Sequence, residues 1–256
     1  ERINLYQAIV ESCDIFFYDL AYKLGIDRIH AFMANFGLGE KTGIDSTNER
    51  VGLLPSREWK RANKNKPWFP GETLNVGIGQ GYMLATPLQL AVATATLANK
   101  GAKPTPSVLK HRKTSVSAAT LNTLDEAAAV SGTHWKQIHY AMESVVHSAK
   151  GTARAIGKGS PYRMAGKTGT ADGSRDIWFV GFTPDYATAV WCGNDQNKQV
   201  HSRYATGGST PAWIWREYMT KYYQVKPKAP TGFAFKHNYK VVAIDPLTGL
   251  LATDYT

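Results

Sequence analysis

The stretch Met164-Ala165-Gly166-Lys167-Thr168-Gly169-Thr170-Ala171 constrains this chain more than any other, because it opens a series of three β-prone runs. The apolar run Ile177-Trp178-Phe179-Val180-Gly181-Phe182 comes after a short polar turn. Ala187-Thr188-Ala189-Val190-Trp191-Cys192 comes after a Pro-Asp turn. Short runs of this kind separated by turn residues predict three antiparallel strands in succession. The first carries a lysine, two threonines and two glycines, an unusual content for a strand. Glycine lets a ligand backbone lie close, threonine hydroxyls donate hydrogen bonds and the ammonium supplies a positive field. An edge strand of that kind suits a peptide carboxylate.

Helices are expected before this sheet and one after it. Phe17, Leu20, Ala21 and Leu24 share one helical face and Gly25 stands at the C-cap. Ile29, Phe32, Met33 and Phe36 repeat the spacing, with Asp27 as N-cap and Gly37 as stop, so the two segments are expected to pack as a short hairpin. Residues 37 to 85 read as loop with short turns. Thr86-Pro87-Leu88-Gln89 opens a helix running to about Lys100, since threonine caps, proline takes the first position and glutamine returns a bond to the cap. Trp135, Ile138, Met142, Val145 and Val146 mark a further helix ending near Gly151. Thr210 to Tyr223 reads as a closing helix, and residues after Lys226 as an extended tail. The stretch between Lys110 and Val130 reads as an exposed connection.

Composition narrows the chemistry. A chain of 256 residues supports one substantial core, and its formal charge of +10 is densest from Arg57 to Lys66. No nucleic-acid motif accompanies those basic residues, so they read as a solvated face or as an attraction to anionic polymers. The seven histidines form no His-x-x-x-His pair and the two cysteines, Cys13 and Cys192, no Cys-x-x-Cys unit, so neither a metal nor a cofactor is expected. Gly77-Ile78-Gly79-Gln80-Gly81 lacks the Gly-Lys-Ser/Thr ending of a phosphate loop and reads as a tight turn.

A second polar group complements the lysine strand. Ser12-Cys13-Asp14 sits between two helical segments, and local rules alone would have Ser12 and Asp14 capping the helix that begins near Ile15. Together with Lys167-Thr168-Gly169 the triplet reads differently. A Ser-x-x-Lys box, a Ser-Asp-Asn box and a Lys-Thr-Gly box characterise penicillin-binding proteins and class A β-lactamases. The third box is intact here, and Ser12-x-Asp14 is a variant of the second.

From Glu1 to Ala171 the chain resembles the transpeptidase domain of class B penicillin-binding proteins of the elongation type. The resemblance rests on Glu11-Ser12-Cys13-Asp14-Ile15-Phe16-Phe17-Tyr18, Thr42-Gly43-Ile44-Asp45, Pro55-Ser56-Arg57-Glu58-Trp59-Lys60, Pro67-Trp68-Phe69-Pro70-Gly71-Glu72 and Gly77-Ile78-Gly79-Gln80-Gly81-Tyr82. Beyond Ala171, Asp176 to Pro184, Thr206 to Ala212 and Ile244 to Ala252 are more similar to class A members. The resemblance implies an α+β fold of the penicillin-binding protein/β-lactamase type, an antiparallel sheet flanked by helices. Residues 1-225 would form a partial transpeptidase domain and 226-256 a C-terminal extension.

The resemblance also implies a mechanism. A serine attacks the D-alanyl-D-alanine bond of a peptidoglycan stem peptide, and the acyl group then passes to an amine of a neighbouring peptide. β-Lactam antibiotics acylate the same serine. Ser12 would relay protons, Asp14 would bind the substrate amide and Lys167 would tune the field at Ser12. Thr168 and Thr170, beside Gly169, would hold the terminal carboxylate, and the N–H of Ala171 would form half of an oxyanion hole. The acylated serine should open a Ser-x-x-Lys box upstream of Ser12, where only eleven residues stand and none is serine. Ser107-Val108-Leu109-Lys110 fits the pattern but lies in a loop-like stretch, where its lysine would not be desolvated. The chain is therefore expected to begin partway through its domain, without the first two strands of the sheet. An upstream membrane anchor would hold it at the periplasmic face of the inner membrane beside a glycan polymerase, with no nucleic-acid partner. A β-lactam-hydrolysing or sensing relative, or a silent wall-binding scaffold, shares the same boxes.

Overall fold

The computed structural model describes residues 3–44, 46–109, 130–200, 205–225 and 233. Helix α1 (Leu5–Glu11) starts at a reciprocal cap: Asn4 Oδ1 accepts from the Gln7 N–H and Gln7 Oε1 from the Asn4 N–H, both at 2.9 Å. It stops at Ser12, and α2 (Asp14–Ala34) begins two residues on. Both helical segments expected here are formed, one on each side of Gly25. They share the α2 span but are separate helical runs, because Gly25 has a φ of 74° and a ψ of 158° and breaks the helix between them. Glycine, with no Cβ, takes that positive φ without strain and lets the chain change direction there.

Residues 37 to 85 contain two helices that periodicity did not reveal, α3 (Arg57–Lys64) and α4 (Pro70–Gly77). Each is eight residues long, too short to display a repeating stripe. Both are set by their ends. Ser56 Oγ accepts from the Trp59 N–H at 3.1 Å, and Glu72 accepts from the Phe69 N–H at 2.8 Å just behind Pro70. Between them lies a buried ion pair, Lys60 with Glu72, with Lys60 only 2% exposed. The ammonium also sits over Phe69, 4.4 Å from the ring centroid. Burial pushes the Glu72 carboxyl up, but the hydrogen bonds from Lys60 and Phe69 outweigh it and hold it below its ordinary value. Helix α4 then packs on α2 so tightly that a Cβ on Gly77 would lie 2.3 Å from the Ala21 Cβ.

Helix α5 (Pro87–Ala98) begins where the sequence places it. Thr86 Oγ1 accepts from the Gln89 N–H at 3.1 Å, and Gln89 Oε1 accepts from the Thr86 N–H at 2.9 Å. The same buried Gln89 donates from Nε2 to the carbonyls of Glu40 and Val51, so the cap also ties down the preceding loop. Ser107 Oγ bonds locally with Leu109 in exposed, non-helical chain, as expected of that stretch. Lys110, the connection up to residue 129 and the tail after Lys226, apart from Phe233, lie outside the described residues.

Helices α6 (Gly132–His147) and α7 (Arg154–Gly157) lead into β1 (Ala165–Thr170), β2 (Asp176–Phe182) and β3 (Ala187–Gly193). The three strands form an antiparallel sheet in the order β1-β2-β3, as the sequence predicts. Helix α8 (Thr210–Val225) covers it. Phe179 of β2 meets Trp215 of α8 edge to face at 5.4 Å, within a core that includes Val145, Val146, Met164 and Met219. Phe182, three residues further and so on the opposite face, packs with Met142 and Ala165 against Leu97 and Ala98 of α5. Helices on both faces hold the sheet, and β1 is one of its two edges among the described residues.

Candidate active site

Separate segments of the chain meet at the outer edge of β1. The first is the junction between α1 and α2. Ser12 adopts a left-handed conformation, φ 55° and ψ 55°, while the Cys13 N–H donates to Ala8 O at 2.9 Å to close the end of α1. A left-handed backbone costs a non-glycine residue about 1 kcal/mol. Such strain concentrates where a side chain is held for a purpose. Ser12 does not cap α2, whose N-cap is Cys13 without a side-chain bond. Instead its Oγ accepts a hydrogen bond from Lys167 Nζ at 2.7 Å, across 155 positions of sequence.

Lys167 is held firmly. Its ammonium also donates to the Thr168 carbonyl at 3.0 Å. Burial pulls its pKa down to about 8, against the pull of the Asp14 carboxylate, which favours the charged form. Asp14 itself is exposed in the first turn of α2, where a negative charge complements the helix dipole. A lysine that titrates near neutrality, bonded to a serine hydroxyl, can pass a proton in either direction.

The two threonine hydroxyls are engaged from behind. Thr168 Oγ1 lies 2.9 Å from Thr152 Oγ1, and Thr170 Oγ1 accepts from the Gly207 N–H at 3.0 Å. Gly207 and Gly208 are required here. A Cβ on Gly207 would lie 2.6 Å from the Gly169 carbonyl oxygen, and one on Gly208 2.2 Å from the Thr152 carbonyl oxygen. Sequence reasoning missed Thr152 altogether. The pair Gly207-Gly208 stood out in the sequence only for its family likeness, with no role at the site.

Ala171 departs from expectation. Its N–H donates to the Asp176 carbonyl at 2.8 Å and closes the β1–β2 connection, so it points away from the edge. The register explains this: Gly169 lies opposite Trp178 and Thr170 opposite Ile177. Antiparallel pairs alternate between bonded and non-bonded. Since Ala171 bonds toward β2, the neighbouring Thr170 N–H turns to the open edge. Cys13 and Cys192 are both free thiols.

An edge strand with Lys-Thr-Gly-Thr, faced by a strained serine at a helix junction, is the arrangement expected of the penicillin-recognising class of proteins. The chain belongs to the penicillin binding protein transpeptidase domain family, whose model matches residues 1–220. Among named relatives, peptidoglycan D,D-transpeptidase MrdA of Acinetobacter baumannii is 43% identical over 171 residues, covering 66% of this chain and 25% of the relative. MrdA of Haemophilus influenzae is 40% identical over 174 residues, covering 66% and 26%. The crystal structure of Pseudomonas aeruginosa PBP2 in complex with WCK 5153 matches with a TM-score of 0.75 and 39% identity, over 99% of this chain and 52% of that one. Helicobacter pylori PBP2 in its complex with MreC matches with a TM-score of 0.69 and 30% identity, over 86% and 41%. The chain thus spans about a quarter of the length of the curated relatives it matches. The expected fold and the similarity to class B proteins both hold.

Proposed function

We propose that the protein containing this chain is a serine D,D-transpeptidase that cross-links peptidoglycan and is acylated by β-lactams. The observation that carries the reading is the 2.7 Å bond between Lys167 Nζ and Ser12 Oγ, with the lysine pKa drawn down to about 8. In the proposed cycle a serine of a Ser-x-x-Lys box attacks the carbonyl carbon of the penultimate D-alanine. The peptide bond breaks and D-alanine leaves with the serine's proton, delivered through Ser12. An acceptor amine then attacks the ester, gives up its proton by the same route and releases the serine.

Each residue has its part. Lys167 supplies positive charge and proton traffic at Ser12. The Thr168 and Thr170 hydroxyls donate to the substrate's terminal carboxylate beside Gly169. Asp14 accepts from a substrate amide. Thr170, rather than Ala171, provides the backbone N–H that faces the developing oxyanion. The partners are stem peptides ending in D-Ala-D-Ala, β-lactams and a membrane glycan polymerase of an elongation complex. The complex of Helicobacter pylori PBP2 with MreC supports the reading of an assembly partner. We place the enzyme at the periplasmic face of the inner membrane. No helix among the described residues is long and apolar enough to cross a membrane.

The test is intact-mass analysis of the full-length protein after exposure to benzylpenicillin, followed by peptide mapping. A stable adduct on a serine of a Ser-x-x-Lys box upstream of Ser12 is expected. An adduct on Ser107, or no adduct on folded protein, would overturn the proposal. Rapid turnover to penicilloate would assign the protein to the β-lactam-hydrolysing relatives instead.

A further inference from the structure

One residue joins the two halves of the cleft. The Thr152 N–H donates at 3.3 Å to the carbonyl of Val10, in the last turn of α1 and two residues before the strained Ser12. Its hydroxyl lies 2.9 Å from that of Thr168 on β1. Its own carbonyl leaves no room for a side chain on Gly208. The flanking residues are fixed as well. A Cβ on Gly151 would lie 2.3 Å from the Val145 carbonyl oxygen, and the Ala153 N–H donates to that carbonyl at 3.0 Å. Thr152 is thus mounted on the end of α6, with its backbone on one wall of the cleft and its hydroxyl on the other.

From this geometry we propose that Thr152 is a positioning residue that sets the Thr168 hydroxyl for an anionic ligand. The inference rests on the functional reading above, in which Thr168 donates to a carboxylate. A hydroxyl has one proton to give and two lone pairs to accept with. If Thr168 gives its proton to the ligand, the 2.9 Å contact requires Thr152 to donate to Thr168 Oγ1. That donation fixes the Thr168 rotamer and polarises its O–H toward the carboxylate. The arrangement parallels the other threonine, whose Oγ1 already accepts from the Gly207 N–H and so keeps its own proton for the ligand. Both hydroxyls of β1 are then pre-oriented donors, one held by a backbone amide and one by Thr152.

The experiment uses the full-length protein with two probes, benzylpenicillin and its methyl ester, which lacks the anionic carboxylate. Thr152→Val keeps the shape and deletes the donor. The second-order rate of acylation by benzylpenicillin is expected to fall about three- to tenfold, the worth of one hydrogen bond, and Thr152→Ser to return it to within about twofold of wild type. Acylation by the ester is expected to stay at the wild-type rate. In a Thr168→Val background, Thr152→Val should have no further effect. An unchanged benzylpenicillin rate in Thr152→Val would overturn the inference, and so would an equal loss with both probes. A wild-type protein that benzylpenicillin does not acylate would instead sink the transpeptidase reading itself, and this inference with it.

Discussion

Lys167 offers the sharpest quantitative test. Its pKa of about 8 stands against an ordinary value of 10.5. At pH 7.5 about a quarter of the molecules therefore carry a neutral Lys167, against about one in a thousand for an unperturbed lysine. The shift also has a stability sign. Below pH 8 the lysine is protonated in both folded and unfolded chains, and the folded state bears the full desolvation cost of about 3 kcal/mol. That cost falls as pH rises from 8 to 10.5 and vanishes once both states are neutral. Carbon-13 labelling of lysine side chains, with Lys167→Gln to assign the resonance, gives the titration directly by NMR. A single lysine with its midpoint near 8 is expected. The stability deficit relative to Lys167→Gln should shrink between about pH 7 and 9.5 by about 2 kcal/mol. A Lys167 resonance that titrates near 10.5, or a deficit independent of pH, would refute burial as the controlling effect.

Two further perturbations probe the same structure. Asp14→Asn removes the carboxylate that favours the protonated lysine, so the Lys167 midpoint should move further down and the alkaline limb of the pH–acylation profile should move with it. An unmoved midpoint in the same NMR titration would show that the carboxylate does not reach the ammonium. Lys60→Met leaves the partly buried Glu72 without its partner between α3 and α4. It should cost about 3 kcal/mol, read by thermal denaturation, while Lys60→Met with Glu72→Leu should recover much of the loss because an apolar pair has no desolvation cost. Equal destabilisation by the single and double variants would count against the ion pair as the cause.

Much was legible in the sequence because it was written in short-range signals. Short β-prone runs separated by turn residues announced β1, β2 and β3. The Thr86 to Gln89 cap placed the start of α5, and apolar spacing found α2, α6 and α8. Short-range signals also explain the misses. Helices α3 and α4 are specified by Ser56, Pro70 and Glu72 at their ends, and eight residues give periodicity too little length. Gly25 was legible as the point where one helical run ends and the next begins, because its φ of 74° suits a residue without a Cβ.

The sequence alone determined which chemical groups are available: Ser12, Asp14 and the Lys167 to Thr170 strand, their order, and the family to which such an order belongs. Tertiary structure decided what those groups can do. Only folding brings Ser12 within 2.7 Å of a lysine 155 residues away, buries that lysine enough to lower its pKa, and sets Thr152 and Gly207 behind the two threonines. Strand pairing likewise decided that the Ala171 N–H is spent on Asp176 and that Thr170 faces the open edge. The physical reason is common to all of these. Propensity and capping act over a few neighbouring residues, whereas desolvation, hydroxyl orientation and the direction of a strand's N–H depend on partners that the chain supplies from far away.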